Sequence, residues 1–77
     1  MRANRAYRLM HRRGGVALAR LADPGRLDQV EVVEVASGET VLLWDVPSRE
    51  ARRLLRSLRA DLSQLDPEGF VERWRDR

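Results

Sequence analysis

The stretch QVEVVEVA-SG-ETVLLWDV, residues 29–46, decides the fold of this 77-residue chain. Valine-rich segments flank Ser37-Gly38. Valine favours extended backbone, and glycine tolerates the positive φ that tight turns need. The pattern predicts a β-hairpin with strands Gln29–Ala36 and Glu39–Val46, joined by a loop of either two or three residues.

Both faces of this predicted hairpin are apolar. With a three-residue loop, Val30 aligns with Trp44 and Val32 with Leu42, which gives one core face. The opposite face then carries Val33, Val35, Val41 and Leu43. A sheet face open to water is normally more polar, so we expect something to cover each face. We therefore predict a homodimer with these last four residues at or near its interface.

A long amphipathic helix should follow the hairpin. Pro47 ends the second strand, and Ser48 is a plausible N-cap for a helix that runs to about Gln64. Its apolar positions recur with helical spacing: Ala51, Leu54, Leu55, Leu58, Leu62 and Leu65. The helix should therefore pack this side on the sheet.

A second, short helix is predicted at the C-terminal end. Asp66 fits the N-cap position and Pro67 the first helical position. Phe70, Val71 and Trp74 would form its apolar side.

The first third of the chain is ambiguous. Val16–Leu21 predicts a strand, followed by a turn at Asp23-Pro24-Gly25. Residues 5–12 fit a strand paired with it across Gly14-Gly15, because Tyr7, Leu9 and His11 alternate with arginines. Residues 3–12 also fit a helix, with Ala3, Ala6, Tyr7 and Met10 on one side.

The predicted fold class is therefore α+β, in a single domain over residues 1–77. It consists of an antiparallel meander of three to four strands, a long amphipathic helix and a short C-terminal helix. The order is ββββα(α), with αβββα(α) as the alternative.

Composition limits the function classes. The chain has no Cys, so disulfides and thiolate metal sites are excluded, and so small a domain commonly gains burial by self-association. No apolar run approaches the length of a membrane span, and a signal peptide is not evident. We expect a cytoplasmic protein that does not bind membranes.

Charge is strongly segregated along the chain. All fifteen basic residues are Arg, a choice that a G/C-rich genome explains without any phosphate recognition. Residues 1–26 hold seven Arg and one acid, residues 27–46 five acids and no base, and residues 47–77 eight Arg and six acids. A modest net charge of +3 therefore conceals separate basic and acidic regions.

The main functional candidate is an arginine stripe on the long helix. At 100° per residue one arc of this helix carries no acid and five basic residues: Arg49, Arg52, Arg53, Arg56 and Arg59. Like charges four residues apart repel mildly, and an external anion would relieve that repulsion. The stripe predicts contact with nucleic-acid phosphates or an acidic protein. The alternative is a solvated face, or one paired with sheet acids such as Glu31 or Glu34.

A second candidate for anion contact is the basic N-terminal arm. It includes Arg2 and, as the candidate contact residues, Arg5, Arg8, Arg12 and Arg13. Arg beside Gly can wrap a phosphate backbone, and Tyr7 could stack on a base. The alternative is a hairpin with a basic outer face.

The residue types in the chain do not support a catalytic site. His11 is the only His, so no Ser-His-Asp or Cys-His arrangement has support, and no spacing predicts a metal site. We expect a non-enzymatic module without cofactor that self-associates and binds a protein with an acidic surface. The runner-up function is binding of DNA or RNA.

Overall fold

The computed structural model describes residues 1–13 and 27–76. Its elements follow in the order α1 (Ala3–Ala6), β1 (Tyr7–Arg12), β2 (Leu27–Glu34), β3 (Thr40–Pro47), α2 (Ser48–Gln64) and α3 (Pro67–Trp74). The three described strands form one antiparallel sheet in the order β1-β2-β3. An antiparallel sheet followed by a long and a short helix confirms the predicted α+β class.

The hairpin of β2 and β3 has the register that the three-residue loop predicts. Val30 pairs with Trp44 and Val32 with Leu42. The register then shifts between Val32 and Val33, because Val41 is an extra residue on β3. β2 begins and ends two residues before its predicted bounds, and β3 begins and ends one residue after them. The loop therefore has five residues, 35–39, not the predicted two or three, and Val35 lies in this turn and not on the sheet.

The turn itself depends on Gly38. This residue has a φ of 76°, the left-handed region in which a side chain is strained. Its N–H donates to the carbonyl oxygen of Glu34 at 2.8 Å, and the Glu34 N–H donates to Glu39 at the same distance. The loop is therefore closed by two backbone hydrogen bonds.

Residues 3–12 form both structures that the sequence allowed. α1 occupies Ala3–Ala6, and the chain then extends into β1 at Tyr7. β1 pairs with β2, with Leu9 opposite Val32 and His11 opposite Val30. The predicted strand Val16–Leu21, its turn and the Gly14-Gly15 link lie outside the described residues.

The long helix α2 has the predicted length, but its predicted cap is wrong. Pro47 occupies the N-cap position, Ser48 is the first helical residue, and no side chain caps the helix. The Ser48 hydroxyl donates instead to Oδ1 of Asp28 at 2.6 Å. The Ser48 hydroxyl therefore donates to the carboxylate of Asp28 on β2, whereas a capping hydroxyl would accept from the N–H groups of its own helix.

The C-terminal helix α3 begins as predicted. The side chain of Asp66 accepts a hydrogen bond from the Gly69 N–H at 2.8 Å, and Pro67 opens the helix. The indole N–H of Trp74 then donates to Oδ2 of Asp61 at 2.8 Å, which ties α3 to α2.

One core lies between the helices and the inner face of the sheet. Its buried residues are Ala3, Val30, Val32, Ala51, Leu55, Leu58, Leu62, Phe70 and Trp74. Aromatic rings extend it, with Tyr7 5.9 Å from Phe70 and Trp44 5.7 Å from Trp74 between centroids. The helices of residues 1–13 and 27–76 therefore all pack on one side of the sheet.

The first residues of the chain are held by this core. Ala3 is buried, and its N–H donates to the carbonyl oxygen of Leu65 at 2.7 Å. Arg2 donates through a guanidinium nitrogen to the Gln64 carbonyl at 2.7 Å. These bonds satisfy two carbonyls at the end of α2, which no intrahelical N–H can reach.

Candidate functional site

The outer face of the sheet carries an apolar patch. Side chains on a strand alternate between faces, so the residues that pair with one another share a face. Met10 lies opposite Glu31 and Glu31 opposite Leu43, while Val33 lies at the shifted end of the register beside Val41. We call Met10, Val33, Val41 and Leu43 the outer-face patch.

The patch is open to solvent. Leu43 is 50% exposed and Val41 38%, whereas Val30 and Val32 on the inner face are fully buried. Val33 and Met10 are partly exposed. Three of the four predicted interface residues thus lie on one face, and Val35 stands apart in the turn.

Charged residues of both signs share this face with the outer-face patch, and one of them, Glu31, lies between Met10 and Leu43 on the central strand. Arg8 and Arg12 share this face on β1, and Asp45 shares it on β3. Nε of Arg12 lies 3.9 Å from a carboxylate oxygen of Glu31. The face therefore combines apolar side chains with charged ones: Glu31 lies among the apolar residues, and Arg8, Arg12 and Asp45 lie around them.

The arginine stripe of α2 lies on the opposite side of the molecule. All five of its guanidinium-bearing residues (Arg49, Arg52, Arg53, Arg56 and Arg59) are exposed. None forms an ion pair with an acid in residues 1–13 or 27–76. Glu31 pairs with Arg12, and Glu34 accepts from Ser37, so neither sheet acid neutralises the stripe.

The N-terminal arm is divided among three places. Arg5 lies in α1, near the C-terminal end of α2. Arg8 and Arg12 point to the outer sheet face, away from the helices. Only Arg13 approaches the stripe, since it lines a cavity together with Arg52. Tyr7 packs against Phe70 in the core, so it does not present a stacking surface.

A polar cluster at the N-terminal end of α2 was missed by the sequence analysis. Asp28 is only 4% exposed, and its two carboxylate oxygens accept hydrogen bonds from different elements. Ser48 donates to Oδ1 at 2.6 Å, and Nε2 of His11 lies 2.7 Å from Oδ2. A carboxylate only accepts, so Nε2 of His11 carries the proton of this bond.

A sequence signal for this cluster exists. Asp28, Val30 and Val32 are alternate residues of β2, so their side chains share a face. This places a carboxylate on the buried face of the strand. On β1, His11 lies on the same face as Tyr7 and Leu9, because the three are alternate residues. Buried charged groups need partners, so the position of Asp28 on the buried face is enough to predict that its carboxylate is hydrogen-bonded or ion-paired.

The cluster has the residue types of a catalytic triad but a different order. In a Ser-His-Asp triad the imidazole stands between the hydroxyl and the carboxylate and removes the hydroxyl proton. Here the carboxylate of Asp28 stands between Ser48 and His11. The Ser48 hydroxyl proton is therefore directed at Asp28 and not at the imidazole.

A cavity of about 410 Å³ opens beside this cluster. Its lining from the described part of the chain is His11, Arg13, Asp28, Ser48, Ala51, Arg52 and Leu55. No group of three potential metal ligands occurs among the described residues. Within the same residues, no helix has the length and hydropathy needed to cross a membrane.

Comparison with known protein families, with curated proteins and with solved structures finds no match to this chain.

Proposed function

We propose that this chain is a small, non-enzymatic protein-interaction module that self-associates through the outer-face patch. The observation that carries the proposal is the half exposure of Leu43 in the middle of a strand whose inner face is already packed. Burying such side chains in a second protein surface gains roughly 25 cal/mol per Å² of apolar area. The patch therefore favours association.

A second copy of the chain is the occupant that the patch fits. Symmetric dimers bring the same surface of two subunits together, so the surface has to be self-complementary. The charged residues around the patch supply this property, because Arg8 and Arg12 lie on the β1 side and Asp45 on the β3 side. Two sheets packed face to face can then place basic residues of one against acidic residues of the other.

Such a dimer leaves the helical layer available to a further partner. The arginine stripe of α2 and the outer-face patch lie on opposite sides of the sheet, so pairing through the patch does not cover the stripe. An acidic protein surface would relieve the repulsion between Arg52 and Arg56, which are four residues apart on the helix. We therefore infer an acidic protein as the regulatory partner.

Sedimentation velocity tests the self-association directly. Wild type should sediment as a dimer at about tens of micromolar, a range suited to ordinary subunit affinities. The double variant Val41→Thr/Leu43→Thr keeps strand-compatible residues but removes apolar surface, and it should be a monomer. The matched control Val35→Thr changes a more exposed valine in the turn and should remain a dimer. A monomeric wild type would refute the proposal.

Nucleic-acid binding is the second candidate function. The specific observation in its favour is that five exposed arginines on α2 have no acidic partner among the described residues. Phosphates neutralised by arginine release counterions, which makes binding strongly salt-dependent.

Fluorescence anisotropy with DNA and RNA oligomers across a salt series tests this candidate. The variant Arg52→Gln/Arg56→Gln/Arg59→Gln should bind more weakly and flatten the salt slope by about three units, at about one unit per lost contact. The control Arg73→Gln removes an arginine that already pairs with Asp61 at 3.0 Å, and it should leave the slope unchanged. Wild type that binds no oligomer at low salt excludes nucleic acid and leaves the acidic protein partner.

A further inference from the structure

Two arginines from separate elements converge on the 410 Å³ cavity beside the buried cluster. Arg13 follows directly after β1, and Arg52 lies in the second turn of α2. Neither forms an ion pair with any acid in the described residues. Arginine remains charged at any physiological pH, so two permanent positive charges face the same space.

The other polar groups of the described lining do not neutralise the two arginines, because they are hydrogen-bonded to one another. Among the described lining residues Asp28 is the one acid, and its two oxygens accept hydrogen bonds from Ser48 and His11. This carboxylate is buried, whereas Arg52 and Arg13 are exposed. The hydrogen bond to Asp28 also fixes the imidazole of His11 at the cavity edge, where its side chain is 29% exposed. The accessible side of the cavity is therefore basic.

We propose that this cavity binds the phosphate group of a phosphomonoester. A guanidinium group matches two phosphate oxygens at once, and such charge-assisted pairs are the strongest hydrogen bonds that side chains form. A phosphate dianion requires two cations, which Arg13 and Arg52 supply from two walls. A single carboxylate would leave one of them unpaired.

The size of the cavity points to a ligand larger than phosphate alone. Small-molecule pockets typically measure about 300–1,000 Å³, and this one falls in that range. Ala51 and Leu55 provide an apolar wall on α2 between the polar cluster and the core. The organic part of a phosphomonoester would lie against this wall while its phosphate contacts the arginines.

This site is independent of the outer-face patch. The cavity lies on the helical side of the sheet, and none of its lining residues belongs to the patch. Failure of the phosphate site would leave self-association untouched, and a monomeric chain could still bind phosphate.

The single histidine of the chain provides a clean readout. The imidazole protons of His11 give signals in a one-dimensional proton NMR spectrum without competition from another His. Inorganic phosphate and a simple phosphomonoester such as phenyl phosphate are titrated at constant pH and constant ionic strength, with chloride exchanged for phosphate. We expect saturable shifts of the His11 signals, with phenyl phosphate binding more tightly than inorganic phosphate. The absence of saturable shifts with either probe would overturn the proposal.

Two variants separate the cavity from the general basic charge of α2. Arg52→Gln should weaken phenyl phosphate binding by about tenfold or more, the effect of losing one charge-assisted hydrogen bond. Arg56→Gln removes the next arginine of the same stripe, one turn away and outside the lining, and should change binding less than about twofold. Equal losses in both variants would show non-specific attraction and overturn the site. The thermal melt of each variant reports whether it is folded.

The source of the phosphate group is decided by a pair of oligonucleotides that differ only in a 5′-phosphate. A gain in affinity from the 5′-phosphate that disappears in Arg52→Gln identifies the end of a nucleic acid. Equal affinity for the two oligonucleotides, together with saturable binding of phenyl phosphate, identifies a small phosphorylated molecule. Both results support the phosphate site.

Discussion

The hydroxyl of Ser48 donates to Oδ1 of Asp28 at 2.6 Å, across twenty residues of chain. This bond joins the first residue of α2 to the buried face of β2, and His11 of β1 approaches the other oxygen of the same carboxylate. Asp28 therefore connects the long helix to two strands, at the end of the sheet where the cavity opens.

A substitution that favours a helix start should here destabilise the protein. Aspartate is a strong residue for helix N-termini, so a capping role for Ser48 would make Ser48→Asp neutral or stabilising. We expect instead a loss of about 1.5–3 kcal/mol in the free energy of unfolding, because a hydrogen bond to a charged group is lost and a second carboxylate meets Asp28. The control Arg49→Asp adds an acid at the next, exposed position and should cause no loss. Urea denaturation of both variants measures the difference.

The core position with the largest expected effect on α2 is Leu58. Its side chain is fully buried at the centre of the helix's apolar side. Leu58→Ala and the nearby Leu55→Ala should each lower the free energy of unfolding by about 2–5 kcal/mol. The neighbouring exposed Arg59→Ala should cost far less. Thermal melts in which Leu58→Ala matches wild type would show that α2 is not packed on the sheet.

Repulsion within the arginine stripe should slightly lower the free energy of unfolding of the unbound protein. Arg52 and Arg56 are four residues apart on α2 and have no acidic partner among the described residues. Arg52→Gln/Arg56→Gln should raise the free energy of unfolding by a few tenths of a kcal/mol at low salt, about the size of one like-charge pair. The gain should shrink as salt increases, because screening removes the repulsion. Unchanged stability at low salt would contradict this expectation.

Gly69 should resist a substitution that usually stabilises helices. A Cβ at Gly69 would lie 2.6 Å from Oδ1 of Asp66, the atom that caps α3. Gly69→Ala should therefore fail to give the gain of about 1 kcal/mol expected from helix propensity. The gain should return in the background of Asp66→Ala, where the cap is absent. Chemical denaturation of the two single variants and the double variant measures this coupling.

The hairpin and α2 were predictable because their patterns are local. Strand alternation fixes Val30 opposite Trp44, and the helical spacing of leucines fixes the buried side of α2. The extra residue at Val41 was not predictable, because Val41, Leu42 and Leu43 are all apolar and their pattern does not show which one lies in a bulge. Residues 3–12 fitted both a helix and a strand because the chain switches from one to the other at Tyr7.

The polar cluster was missed for a different reason. It depends on contacts between residues that lie far apart in the chain, and no local spacing connects His11, Asp28 and Ser48. The predicted strand also began at Gln29, one residue after the carboxylate whose place in the strand alternation indicates burial. Ser48 next to Pro47 fits a cap so well that its sequence context conceals the longer-range partner.

The hydrogen bond from Ala3 to Leu65 constrains the order in which the chain reaches its final form. Ala3 is synthesised early, but its carbonyl partner and much of the surface that buries it come from the end of α2 and from α3. During translation Ala3 therefore stays undocked until Leu65 and the residues after it have left the ribosome. Closing a loop of about sixty residues carries an entropic cost that local hairpin and helix formation avoid. We therefore expect Ala3 to dock after the hairpin and α2 have formed locally.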